Sequence, residues 1–280
     1  MRAAMKSRPC EVMMCNAAAY ESCSLCARPY CALHQARSSN ELPMLMCLSC
    51  WIVYQTPASE FVPVELQTRH ARWVGEGRPS QHSFGFRRDT WKPWLPEFKD
   101  FIDGLPAELS REFITNLGVD AAQNPRSAAE TLIASNIWGN GMNAKRGPWY
   151  THDALATQGT ASQPLDGPHR LQLIAIEAKE LGLVAAFNSS VNLPNKLDKL
   201  GTSFATKYLF FISNLQGRYR GLVLDRVIAN WFAANTSLAL REGELNPTKY
   251  GEYLFAMYSW ASELGETPET IEWVIFWQPR

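Results

Sequence analysis

No cysteine follows Cys50, and the chain carries no net charge, 27 basic residues balancing 27 acidic ones. The first absence removes disulfides from most of the molecule. The second argues against a polyanion-binding surface spread over the whole chain, although a local basic face remains open. Long hydrophobic runs are missing too. The strongest, Tyr208-Leu209-Phe210-Phe211-Ile212, falls far short of the roughly 20 apolar residues that span a bilayer. The opening MRAAMKSRPCEVMMC has no apolar h-region, so it does not read as a secretory signal, and a reducing intracellular setting is the expectation. Histidine is sparse: beyond residue 50, His70, His82, His152 and His169 stand singly, without the HxxxH-type spacing of a catalytic zinc site. No internal repeat or low-complexity stretch is present.

What is there begins with the cysteines. Their order is Cys10-x4-Cys15-x7-Cys23-x2-Cys26-x4-Cys31-x2-His34-x12-Cys47-x2-Cys50. A Cys-x2-Cys or Cys-x2-His pair lets a tight turn aim two ligands at one tetrahedral metal, and eight ligands make two such sites. In a cross-brace arrangement Cys10, Cys15, Cys31 and His34 share one zinc, and Cys23, Cys26, Cys47 and Cys50 share the other. Disulfides would leave one of the seven thiols over. The string Cys23-SL-Cys26-ARPY-Cys31-AL-His34 resembles AN1-type and B-box zinc fingers, with a Cys10-x4-Cys15 pair wider than theirs. Both zinc ions would be structural, and the module would contact DNA or a protein partner.

Three regions follow: a zinc-binding module over 1–52, a connecting segment with short strands over 53–93, and a mainly α domain over 94–280. Within the last, Leu95 to Gly118 predicts two short helices broken at Gly104-Leu105-Pro106. Apolar spacing at Ala128, Leu132, Ile133 and Ile137 predicts a helix over 127–138, and Leu171 to Phe187 reads as one long helix. Asn246-Pro247 and Thr267-Pro268 each join an N-cap to a proline at the first helical position. They predict helices running to Leu264, closed by Gly265, and to Trp277.

Between Pro168 and Arg241 nine basic residues face four acidic ones, a first hint of phosphate contact. In this stretch Leu200-Gly201-Thr202-Ser203 reads as the end of one short helix and the start of another, freeing N–H groups that suit a phosphate. Downstream, Gly221-Leu-Val-Leu224-Asp225-Arg226 places Asp225 at the N-cap of an apolar helix, a role worth about 1 kcal/mol on its own. LGTSFATKYLFF followed by LVLDRVIANWF resembles the helix-hairpin-helix DNA glycosylase superfamily, and within it the bacterial 8-oxoguanine glycosylase OGG-fold proteins. Trp138-Gly139-Asn140-Gly141 with Arg146-Gly147-Pro148, and the ending Tyr253 to Ala261 with Glu272 to Phe276, extend the likeness over about Trp94 to Trp277.

The resemblance implies a helix-hairpin-helix glycosylase-like domain and DNA as the partner. Asp225 would stabilise an oxocarbenium-like sugar or orient water. Lys207, eighteen residues upstream, would attack C1′ and form a Schiff base in a bifunctional enzyme. The family's lysine position falls near Ser203, so Lys207 stands one helical turn further along the same face. Leu200, Gly201, Thr202 and Ser203 would hold DNA through the hairpin, with Arg146 and Arg226 on phosphates. Trp138, Tyr150, His169, Trp231, Phe276 and Trp277 are the aromatic candidates for a flipped-base pocket. The excised base would be oxidised or otherwise modified, 8-oxoguanine or a base of modified foreign DNA. The alternative is a non-catalytic DNA- or protein-binding zinc-finger protein on the same fold.

Overall fold

Helices supply most of the architecture in the computed structural model, which describes residues 21–22, 29–30, 61–159, 165–180, 182–192, 195–213, 220–238, 240 and 246–277. Near the start, β1 (Glu21–Ser22) pairs antiparallel with β2 (Pro29–Tyr30), Glu21 opposite Tyr30. A second two-residue ladder joins β3 (Phe84–Gly85) to β4 (Glu108–Leu109).

The helices of the first half are α1 (Val64–Gly75), α2 (Arg88–Trp91), α3 (Lys99–Gly104), α4 (Arg111–Gly118), α5 (Pro125–Asn140) and α6 (Gly147–Leu155). Those of the second are α7 (Gly167–Glu180), α8 (Leu183–Val191), α9 (Thr202–Ile212), α10 (Arg226–Asn235), α11 (Pro247–Leu264) and α12 (Pro268–Phe276). No helix among the described residues is long and apolar enough to cross a membrane.

The centre of the fold is α5, packed on α4, α6, α7 and α9. Asn124 caps it by accepting from the Ser127 amide at 2.8 Å, and Pro125 opens its first turn. Two apolar cores meet across α5 and α9. Leu132, Tyr208 and Leu209 face the larger one, shared with α7, α8, α10, α11 and α12. Ile133, Ile137, Phe210 and Phe211 face the smaller one, shared with Trp91, Ile102 and Ile114. Neighbouring residues of one helix thus serve opposite sides, because a helix buried all round has no polar face to spare.

Both proline-led helices form as expected. Asn246 accepts from the Lys249 amide and Thr267 from the Thr270 amide, and Gly265 closes α11 with φ 68°.

Three expectations are corrected. Val64–Gly75, read as part of a connection with short strands, is the helix α1. Its Leu66 and Trp73 lie in the main core, and it packs on α12. Pairs four residues apart, Arg69 with Glu65 and Arg72 with Glu76, support it on the outside. The long helix over 171–187 is two, α7 and α8, with Gly182 at φ 93° between them, a backbone setting that L side chains rarely adopt. Residues 195–200 are turns rather than a helix leading into Gly201, with Leu197 and Leu200 buried.

The docking of α1 has a polar anchor. Glu266, just past α11, accepts from His70 at 3.0 Å and from Arg78 at 2.6 Å. Burial pushes its carboxyl up, and the bonds from His70 and Arg78 outweigh that, leaving it below its ordinary value.

Candidate active site

The segment from Arg220 to Asp225 belongs to no helix or sheet, yet Gly221 through Leu224 are buried. Buried backbone groups need partners, and with no ladder available the partners are side chains. Tyr258 hydroxyl bonds both the amide and the carbonyl of Arg220. Gly221 N donates to Ser213 Oγ at 2.8 Å, and Tyr250 hydroxyl reaches the Leu222 carbonyl at 3.3 Å. Val223 N donates to Glu272 Oε2 at 2.6 Å while its carbonyl accepts from Tyr253 hydroxyl at 2.8 Å. Leu224 N donates to Thr206 Oγ1 at 3.0 Å. Burial pushes the Tyr250 and Tyr253 phenols well up, so both stay protonated donors.

Asp225 follows this braced segment. Its Oδ1 accepts from the amides of Val227, at 2.9 Å, and Ile228, at 3.1 Å, capping α10 as the sequence implies. Oδ2 has no hydrogen bond among the described residues. The carboxylate is therefore fixed through one oxygen and offers the other. Thr206 and Leu224, bonded to each other, each immediately precede one of the two residues of interest, Lys207 and Asp225.

Lys207 is buried on α9, and its Nζ donates to Ser203 Oγ at 2.6 Å. Its stem runs over Gly139: a Cβ placed there would stand 2.5 Å from Lys207 Cε, so glycine makes room for the lysine. Ser203 in turn lines an open hollow of about 470 Å³ with Tyr150, Lys196, Leu197, Lys199, Leu200, Gly201 and Phe204. The lysine amine thus sits one hydrogen bond behind the wall of the hollow. Gly201 is the N-cap of α9, so the hollow opens at a helix N-terminus. Lys199, at φ 57°, holds its Nζ 5.7 Å from the centre of the Trp149 ring.

Leu200, Gly201 and Ser203 come together at this hollow, and Thr202 begins α9 beside them. Arg146 and Arg226 are exposed, at the starts of α6 and α10. Of the aromatic candidates only Tyr150 lines the hollow. Trp138, Trp231 and Trp277 are buried in the cores, Phe276 is partly exposed, and His169 bonds Asp166 at the surface. Lys196 and Lys199 are two of the nine basic residues counted between Pro168 and Arg241, and sequence reasoning gave no role to Arg111, Thr206 or Glu272. The available signal for Glu272 was a single acid inside the apolar run Ile271 to Phe276. Cys10, Cys15, Cys23, Cys26, Cys31, His34, Cys47 and Cys50 all lie outside the described residues.

No curated protein and no solved structure matches the chain. One family model does, that described as "Putative 8-oxoguanine DNA glycosylase OGG-like protein", over residues 77–276. The matched span takes in α2 to α12, and with them Leu200 to Ser203, Lys207, Asp225 and the side chains that brace 220–225. The chain belongs to this OGG-like family.

Proposed function

We propose that the protein is a DNA glycosylase that removes an oxidised or otherwise modified base, 8-oxoguanine or a base of modified foreign DNA, with Asp225 as the carboxylate at the sugar. The observation that carries this is the division of labour on Asp225, Oδ1 capping α10 while Oδ2 is left over. An acid held this way keeps its place as positive charge develops on C1′, which is where a preformed carboxylate lowers a barrier. The hollow beside Gly201 supports the DNA side of the reading: two lysines and the amides of a helix start suit a phosphate. Arg146 and Arg226 would extend that grip.

Lys207 would supply the amine of a bifunctional enzyme, with Ser203 moving aside to let it reach the sugar. Its burial behind Ser203 favours a second reading, binding or hydrolysis without lyase chemistry. Duplexes carrying a panel of modified bases, treated with the chain and borohydride, decide between them. The expected result is a covalent adduct on at least one lesion, falling at least tenfold with Lys207→Met. Base release without adduct rejects the lyase role alone. No product on any lesion, with Asp225→Asn indistinguishable from the unaltered chain, rejects the enzyme.

The eight Cys and His residues of the first fifty would hold two structural zinc ions and give the enzyme a second contact with DNA or with a protein. Elemental analysis of purified full-length chain should read two zinc per molecule. A value near zero in protein prepared with reductant and without chelator sinks this part of the proposal.

A further inference from the structure

A charged pair lies under the segment that carries Asp225. Glu272 on α12 is 2 % exposed, and its two oxygens are divided between Arg111, at 2.5 Å, and the Val223 amide, at 2.6 Å. Arg111 lies with its guanidinium carbon 4.6 Å from the centre of the Phe210 ring and 5.2 Å from that of Trp138.

Three observations set this pair apart from ordinary packing. Arg111 is the first residue of α4, where a positive charge opposes the helix dipole, so its own helix does not call for it. Its buried Nε has no partner among the described residues, leaving the pair imperfectly satisfied. Glu272 is buried and Arg111 keeps 20 % of its side chain exposed, and ion pairs taken this far out of water are often matched in stability by apolar residues of similar size. What the pair supplies instead is location. It joins α4 and α12 to the one backbone amide two residues before Asp225. Tyr253 holds the carbonyl of the same residue, so Val223 is fixed at both ends.

We infer that Arg111 and Glu272 are positioning residues for Asp225: they clamp Val223 so that the Asp225 carboxylate keeps its place at the start of α10. The inference rests on the proposed role of Asp225 and deepens it. Glu272 also senses the acid it would position. Burial pushes its carboxyl up most, Arg111 and the Val223 amide pull it down, and the charge of Asp225 adds to the rise, for a net upward shift.

The test uses full-length chain and two variants. Arg111→Met combined with Glu272→Leu replaces the pair by apolar side chains of similar size, and Glu272→Gln keeps an acceptor for Val223 while removing the charge. Amide hydrogen exchange is read at Val227 and Ile228, which bond Asp225 and neither member of the pair. Single-turnover base release and KM are measured alongside. The double variant is expected to lose at least tenfold protection at those two amides while the amides of α5 hold theirs. Its base-release rate should fall at least tenfold with KM within twofold, and Glu272→Gln should lie between it and the unaltered chain.

Unchanged protection at Val227 and Ile228, or a loss spread evenly over α5 and α10, overturns the inference, since a merely structural pair would behave so. Should the double variant not fold, Glu272→Gln is judged by the same two amides and the same rate-against-KM split. If the unaltered chain releases no base from any duplex, the glycosylase reading fails on its own, and the exchange measurement still decides whether the pair holds Asp225.

Discussion

Asp225→Asn should lower the single-turnover rate of base release by about 10²–10³-fold, the usual cost of losing one charged stabilising group at a transition state, with DNA affinity held within about twofold. The substitution isolates charge from structure. Asparagine caps helices about as well as aspartate, so the bonds from Val227 and Ile228 to Oδ1 survive and α10 keeps its start. What disappears is the negative charge and the accepting character of the second oxygen. Melting curves of the two proteins should therefore overlay closely while their rates diverge. Asp225→Ala makes the contrast: it removes cap and charge together and costs about 1 kcal/mol of stability besides. Equal base-release rates for the Asn variant and the unaltered chain would remove Asp225 from the chemistry.

Trp260→Ala should be the most damaging substitution for the fold, at about 3–5 kcal/mol. Trp260 on α11 is 1 % exposed and stacks on Phe232 of α10, ring centres 5.2 Å apart, with Trp231 at 6.0 Å. Removing the indole leaves a void that these rings, Phe232 already packed on Tyr253, can fill only in part. Against a typical total stability of about 5–15 kcal/mol, the loss is a large fraction. In a domain of this size the unfolding midpoint should drop by roughly 10 °C. The same change loosens α10, so base release should fall as well. A midpoint within about two degrees of the unaltered chain would show that the α10–α11 contact is not where the main core draws its strength.

Much of this was legible in the residues because it is local. Asn246-Pro247, Thr267-Pro268 and Asp225-Arg226 each declare a helix start through chemistry confined to neighbouring positions, and each helix begins there. The interrupted helices around Gly104 were readable for the same reason. The failures share a different cause. Gly75, Gly77 and Pro79 have the composition of a connection, whereas the Leu66 and Trp73 face of α1 finds its partner, α12, at the other end of the chain. A continuous apolar pattern ran through Gly182, where only the backbone angle marks the break.

The site divides in the same way. The cap formed by Asp225 was legible, and so was the helix start after Gly201, though not the turns that lead into it. The bracing of 220–225 by Thr206, Tyr250, Tyr253 and Glu272 was invisible, since it depends on three helices arriving at one stretch of chain. Lys207 was named, and its spacing of four from Ser203 puts the two on one helix face; that its stem lies buried follows from the packing of α9 on α5, which no spacing declares.

That packing has a consequence for descent. Because the Lys207 stem occupies the volume a side chain at Gly139 would need, a descendant that gains a side chain at 139 pushes the lysine off its present path. The atoms in the way are the flexible far end of Lys207, so such a change is felt first in where the amine sits and only then in the fold around it.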